Sequence, residues 1–349
     1  MKKKIALVLT LVLSLSLALG ACSSAADSNL ASAPDSDKAE EILGEIADLD
    51  DAFGGGDLQA NPVTLKIAVL PIIDTIPLYV ADNEGLFEEV GLNIEFIPVS
   101  SAPELSQMVA SGQADGMITD ALTVAFFDKE EIKLQIVRYA QTPSEERAHF
   151  FILSAKDSGI TSPDDLKGVE IAVSEGTIIE YVNDRLLEKE GFTADEIATI
   201  AVPKIPERMA LLASGEIEAA VLPDPLASIA LSQGATVVLD DSQSPEYGAS
   251  VYAFSTEMIE KHPEAIRAFV ETIDFAVELI ELDSEEYKPV LADNNLIPPP
   301  MLDDYVIPPF PMGIFSEAEW LDTLAWAQAE GLLIVNIPYR DAVNASFLP

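Results

Sequence analysis

A strand-then-helix plan written twice constrains this chain more than any other feature. "KIAVLPIIDTIPLYVAD" (Lys66 to Asp82) is echoed about a hundred residues later by "EIAVSEGTIIEYVND" (Glu170 to Asp184), with Ile-Ala-Val and a following Tyr in common. "MVASGQADGMITDALTVA" (Met108 to Ala125) is echoed by "ALLASGEIEAAVLPDPLASIA" (Ala210 to Ala230), which shares Ser-Gly and a nearby acid. One helix–Gly–strand unit says little, because the Gly serves as a C-cap. Two matched segments in one order, at nearly one offset, point to two similar α/β lobes. Inside the first copy the strand "VTLKIAV" precedes a helix from Pro77 to Val90, closed by Gly91, and the strand "NIEFIPV". A helix from Ala102 to Ser111, stopped by Gly112, then leads to a third strand, "ADGMIT". This βαβαβ order predicts a parallel sheet with helices on both faces, and 349 residues suffice for two such cores.

In open parallel sheets ligands bind beyond the carboxyl ends of the strands, so two facing lobes create a cleft. The loop "PIIDTIP" lies at such an edge and feeds a helix whose first residue is predicted to be Pro77. Its two prolines, with Asp74 and Thr75 between them, shape it to present side chains and not simply to turn the chain.

The segment ahead of the first strand has its own logic. "MKKK" is a basic n-region and Ile5 to Gly20 an apolar run, too short for the roughly 20 residues of a spanning helix. Residues 1–22 therefore read as a secretory signal. "LGAC" resembles a bacterial lipobox, which makes Cys22 the lipidated first residue of a mature protein anchored outside the cytoplasmic membrane. The alternative is a chance cysteine beside an ordinary cleavage site. Cys22 is the only cysteine, so no intramolecular disulfide forms. Residues 23–62 read as an acidic, mostly flexible tether, with Ile42, Leu43, Ile46 and Leu49 at the spacing of a short amphipathic helix. Without Lys2, Lys3 and Lys4 the chain carries 16 bases against 60 acids, a formal charge of −44. Such a surface repels nucleic acid and anionic headgroups and gives no long-range attraction to an anionic ligand.

The run "IPLYVADNEGLFEEVGLNIEFIPVSSAPELSQMVASGQADGMITDALTVA" resembles the extracytoplasmic substrate-binding proteins of ABC importers in the nitrate, sulfonate, taurine and thiamine-precursor group. The matching features are Leu78-Tyr79-Val80-Ala81, Gly85-Leu86-Phe87 through Gly91-Leu92, and Ser111-Gly112 with Asp115. "VEIAVSEGTIIEYV" resembles the second-lobe strand and ligand-facing helix start, and "AAVLPDPLA" the later acid–proline segment at the cleft. The likeness runs from about Val63 to Asp241 and is generic beyond Val251, where helices are expected at Pro263 to Leu282 and Ser316 to Glu330. It implies two doubly wound α/β lobes with a ligand cleft between them, the type II periplasmic-binding-protein arrangement. Residues 62–155 plus 250–349 would form lobe one and 156–249 lobe two, with crossings near "FILSAKD" and "SPEYGASVYAF".

Four loops are expected to meet in that cleft. In the first, Asp74 either accepts a hydrogen bond from a ligand or closes an Asx turn, Thr75 stands beside it, and Tyr79 either stacks on a ligand ring or faces the core. In the second, Thr119 or Asp120 caps the next helix, whose free N–H groups could hold a ligand acceptor. In the third, Ser174, Gly176 and Thr177 open a helix with a small, backbone-exposing turn, the strongest of the four signals. It lacks the Gly-Lys-Ser/Thr of a Walker loop. In the fourth, Asp224 stands between Pro223 and Pro225, an N-cap by default and a ligand acceptor by hypothesis. His149 and His262 are isolated and suggest no metal. Trp320 and Trp326 read as packing. The proline-rich stretch 298–311 reads as a surface wrap, from which Met301, Tyr305 or Phe310 could reach the cleft mouth.

The resemblance implies capture of a small organic nutrient by a monomeric protein that hands it to a permease and its ATPase, with no cofactor and no chemistry done. An enzyme on the same fold, a relative of those that make thiamine precursor or act in quinone synthesis, is the alternative, although the thiamine-precursor enzyme relies on cysteines and a histidine and this chain has only Cys22. A sensor lipoprotein is a third. Arg138, Arg147, Lys204 and Arg208 are the bases nearest the proposed loops, too few to demand an anion clamp. With Asp74, Asp120 and Asp224 near the cleft, a neutral or amine-bearing heterocycle is expected ahead of a sulfonate.

Overall fold

The computed structural model describes residues 56–349. The leader, Cys22 and the helix expected around residues 42–49 lie outside the described residues. The end of the expected tether does not remain a spacer: Gly56–Ala60 is helical and buries Leu58. The backbone of Leu58 lies where a Cβ on Gly91 would be, 2.4 Å from the Leu58 carbonyl oxygen, so that glycine is required by close approach as well as by its φ of +78°.

Two five-stranded sheets organise the rest. The first holds β1 (Val63–Val69), β2 (Leu92–Pro98), β3 (Gly116–Thr119), β4 (Leu134–Gln141) and β10 (Ser250–Ser255) in the order β2-β1-β3-β10-β4. The second holds β5 (Phe150–Ser154), β6 (Glu170–Val173), β7 (Ala198–Ala201), β8 (Ala219–Pro223) and β9 (Thr236–Asp240) in the order β7-β6-β8-β5-β9. The repeat is visible in the register. Ile67 of β1 pairs with Gly116 of β3, and Ile171 of β6 with Ala219 of β8, in parallel ladders at equivalent sheet positions. In each sheet the fourth position is an antiparallel strand from across the junction, β10 in the first and β5 in the second.

That exchange moves an expected boundary. Phe150–Ser154, most of the proposed crossing "FILSAKD", is a strand of the second sheet, so the chain leaves the first sheet through residues 142–149. It returns through residues 241–249, which overlap only the first half of the expected second crossing, because Ser250–Phe254 of that stretch belongs to β10.

The helices that position the site are α1 (Ile76–Glu84), α2 (Ala102–Ala110), α3 (Ala121–Asp128), α4 (Ile178–Lys189), α5 (Ile205–Ser214), α6 (Leu226–Ser232), α7 (Pro263–Leu282) and α8 (Glu317–Ala329). Helix α1 ends earlier than its apolar pattern suggests, because Gly85 takes φ +77° and its amide bonds back to Ala81 and Asp82. A 3₁₀ turn, Ile73–Thr75, precedes it, which makes Pro77 its second residue and not its first. Helix α7 buries Ile266, Phe269, Ile273, Val277 and Ile280 at helical spacing, and Phe269 lies 5.0 to 5.8 Å from the rings of Phe87, Tyr252 and Phe254.

Helix α8 packs on α3 and also clasps α4, which follows the second sheet's β6. Asp322 accepts from the Tyr181 hydroxyl at 2.7 Å and from Arg185 Nε at 3.0 Å, and the Trp326 indole donates to Asp184 at 3.1 Å. Trp320 donates to the Ile337 carbonyl. Both tryptophans are packing residues, as their sequence spacing suggests, and Trp326 is in addition a tie between the two halves. Among the described residues no helix is long and apolar enough to cross a membrane.

Candidate functional site

The carboxyl ends of β1, β3, β6 and β8 converge on a cavity of ≈ 40 Å³, room for a few waters or one small polar group. From the first half come Leu70, Ile72, Asp74, Ala102, Leu105, Ile118, Thr119 and Asp120. Ser174, Thr177, Ile178, Ile179, Ile205 and Pro223 come from the second, with Phe150 and Ser250 at the two crossings. Of the residues expected from sequence, Asp74, Thr119, Asp120, Ser174 and Thr177 therefore share one space. Thr75, Tyr79, Gly176, Asp224 and Pro225 do not line it.

The reasons are local. Thr75 is buried and its hydroxyl donates to the Ile72 carbonyl, closing the 3₁₀ turn. Tyr79 meets Phe96 edge-on at 5.1 Å, the packing alternative. Gly176 does adopt φ +68°, but its amide donates to Glu180 Oε2 at 2.6 Å, so the expected backbone cradle is filled by the helix's own carboxylate. Thr177 caps α4, accepting from the Ile179 amide at 3.2 Å while its hydroxyl donates to the Ser174 carbonyl. Pro225 takes the cap position of α6, yet the Asp224 carboxylate still accepts from the Ser228 amide in the first turn at 3.3 Å, much as a cap would. The same carboxylate gathers the Ser228 hydroxyl at 2.6 Å, Arg147 at 3.1 Å and the Tyr305 hydroxyl.

Asp120 is the capping residue of the second loop. Its carboxylate accepts from the Thr123 amide at 2.8 Å and hydroxyl at 3.2 Å. Burial pushes its pKa up to about 6, against the pull of those bonds.

Asp74 lines the cavity with both carboxylate oxygens already engaged. One oxygen meets His149 Nε2 at 3.0 Å and the other accepts from the Ser250 hydroxyl. His149 Nδ1 lies 2.7 Å from the Gly248 carbonyl. Both ring nitrogens thus face acceptors, which makes the ring a doubly protonated imidazolium. Burial opposes that charge, but Asp74, then Asp241 and the Gly248 carbonyl, outweigh it and raise the pKa to about 9. Asp241 accepts from the amides of His149 and Phe150, and burial lifts its own pKa to about 7. Gly248 passes so close that a Cβ there would stand 2.0 Å from Asp241 Oδ2. The sequence shows His149 only as an isolated histidine; nothing local announces that it binds the first loop to both crossings.

Behind Ser174 lies a different charge. Arg208 is fully buried and donates to the Val221 and Val202 carbonyls at 2.8 and 2.7 Å and to Ser174 Oγ at 3.0 Å. Among the described residues no carboxylate pairs with it, Nη2 has no partner, and burial draws its pKa down to about 9. The other candidate bases are engaged elsewhere: Arg138 pairs with Asp274 at 2.6 Å, Arg147 with Asp224, and Lys204 acts on Glu104. Among the described residues no cluster of His, Cys, Asp and Glu could hold a metal ion.

Residues 72–284 match the family model described as NMT1/THI5 like. A curated relative, the putative aliphatic sulfonates-binding protein of Escherichia coli (strain K12), is 24% identical over 250 residues, 71% of this chain and 76% of that one. Among solved structures, the alkanesulfonate-binding protein SsuA of Xanthomonas axonopodis pv. citri, bound to MOPS, superposes with a TM-score of 0.70 at 20% identity. It covers 82% of this chain and 99% of that one. The desulfurization enzyme DSZB shares the fold at a TM-score of 0.59 and 15% identity, over 81% of this chain and 97% of that one.

Proposed function

The chain belongs to the NMT1/THI5-like family, and we propose that it is the extracytoplasmic solute-binding component of an ABC importer. It would capture a small organic nutrient between its two halves, and its partners would be a permease and an ATPase. One observation carries the reading. The cavity takes its walls from both sheets, which the chain joins only at residues 142–149 and 241–249. A solute held there contacts both halves and so favours the state in which they are together, which is how binding becomes selective closure. Lipidation at Cys22 would hold the monomeric protein at the outer face of the cell membrane.

Relatives named for sulfonate binding put a compact organosulfonate first and a neutral or amine-bearing ring second, the reverse of what composition favours. The unpaired guanidinium behind Ser174 supports the same order, since it places uncompensated positive charge one hydrogen bond from the wall. An enzymatic reading is disfavoured by the way Asp74 separates His149 from Ser250: each bonds to the carboxylate, so the imidazole is not placed to take the serine proton.

Native mass spectrometry of freshly purified protein, followed by thermal-shift screening, tests the proposal. A solute at a hundredfold excess over Kd adds about 2.7 kcal/mol of stability. Stabilisation by alkanesulfonates or a ring nutrient, with the compound recovered unchanged, is the expected result. Turnover of any of them, or no response across a broad nutrient panel, overturns it.

A further inference from the structure

The cavity has room only for a small head, so a larger solute has to leave it on one side. Asp120 and Ile178 mark that side. Besides the cavity they line a neck of ≈ 10 Å³, shared with Tyr181, Glu246 and Tyr247. Glu246 and Tyr247 in turn line an outer groove of ≈ 570 Å³, between the second crossing and α8. Shared wall residues thus place the three voids in succession from the buried strand ends to the surface. Tyr247, half-buried and set edge-on to Tyr181 at 5.9 Å, belongs to the walls of both the neck and the groove.

The groove has a definite chemistry. Tyr139 and Tyr247 line it together with Glu246, Glu319 and Asp322, and among the described residues no lysine or arginine does. Glu319 accepts the Tyr139 hydroxyl, and Asp322 is paired with Arg185, which leaves exposed Glu246 at the rim as the carboxylate with charge to offer. Aromatic faces beside a carboxylate favour an organic cation, and the volume falls in the usual range for small-molecule sites.

We propose that this groove seats the far end of the solute whose head lies in the cavity, and that this end is a protonated or quaternary amine on an apolar stem. The inference rests on the cavity being the solute site. It makes the preferred solute an elongated molecule with unlike ends, and Tyr247 and Glu246 the residues that read its tail.

Titration calorimetry and NMR on the full-length protein at pH 6 test it with three probes: MOPS, propane-1-sulfonate with the same head and no ring amine, and N-propylmorpholine with the tail alone. MOPS is expected to bind about tenfold tighter than propane-1-sulfonate. Tyr247→Ala combined with Glu246→Gln should erase that ratio and leave propane-1-sulfonate unchanged. N-propylmorpholine should move the ring resonances of Tyr139 and Tyr247. If neither sulfonate binds but the tail probe still moves both rings, the head assignment fails and the groove stands. Unmoved rings at millimolar tail probe, or an equal loss for both sulfonates in the variant, overturns the groove.

Discussion

His149 Nε2 lies 3.0 Å from Asp74 Oδ1, both side chains buried, and this contact ties the loop after β1 to the crossing before β5. Removing one member of a buried charged pair strands the other, at a cost of about 3–5 kcal/mol. His149→Ala should lower urea-denaturation stability by that amount at pH 6, and adding Asp74→Asn should recover part of it. A loss below about 1 kcal/mol would mean the pair behaves like a surface bridge.

The same site predicts how stability varies with pH. The folded pKa of His149, about 9, lies above its ordinary value, so its contribution is whole below pH 6.5 and is lost as pH rises through 9. Asp120, Asp128 and Asp184, up at about 6, and Asp241, up at about 7, have the same sign. Burial leads the causes for each, and their contributions are whole below 3.8 and lost as pH climbs through 6 to 7. Exposed Glu104, Asp165, Glu196 and Glu257 have lowered pKa values, set first by backbone or side-chain hydrogen bonds, and they oppose the trend only toward the acid end. Melting temperature should therefore fall steadily from about pH 5 to pH 9. His149→Ala should flatten the segment above pH 6.5, and an unchanged slope there would refute the assignment.

Asp120 offers a reading of solute charge. Asn caps helices as well as Asp, so Asp120→Asn should change stability by less than about 0.5 kcal/mol, whereas Asp120→Ala should cost about 1 kcal/mol. Affinity between pH 5 and 7.5 should rise on acidification if the group beside Asp120 is anionic and fall if it is cationic, and Asp120→Asn should remove the dependence. A pH profile identical in wild type and variant would show that the solute does not approach this carboxylate.

How much of this was legible in the sequence follows from the range of each interaction. The repeated Ile-Ala-Val and Ser-Gly segments placed the parallel cores, because strand and helix signals are local and periodic. The loops at the strand ends were found for the same reason, and five of their residues share the cavity. The strand swap at the junction was not visible, since Phe150–Ser154 reads as a buried strand whichever sheet receives it. Gly176 misled because a glycine-rich helix start looks alike whether a ligand or Glu180, four residues on, fills it. His149 meets Asp74 across 75 positions, Arg208 meets Ser174 across 34 and Asp322 meets Arg185 across 137, and no spacing rule reaches that far.

Arg208 should be separable into structural and selective parts. Arg208→Met strands the Val221 and Val202 carbonyls and should cost about 2–6 kcal/mol, at about 1–3 kcal/mol for each unsatisfied buried group. Arg208→Lys keeps the charge but loses the fork, and is expected to cost less. The telling measurement is the affinity ratio of an alkanesulfonate to a neutral ring nutrient. Met should lower that ratio severalfold and Lys should hold it. Equal loss of both probes in both variants would confine Arg208 to the framework.

If the proposed solute capture works by parting and closing of the halves, the clasp from α8 to α4 should set how readily they part. Opening that separates β6 from β3 has to break the Trp326–Asp184 and Asp322–Arg185 contacts. The buried indole bond to a carboxylate is worth about 1.5–3 kcal/mol. Trp326→Phe should therefore shift the open-to-closed ratio by about ten- to a hundredfold, because the ring still packs against Tyr181 while the donor is gone. Small-angle scattering of the solute-free variant should show a larger radius of gyration than wild type, and solute dissociation should be faster. Hydrogen exchange should rise first in α4 and α8. If the radius and the dissociation rate stay at wild-type values while only the melting temperature drops, α8 is a stabilising layer and the halves move, if at all, about some other contact.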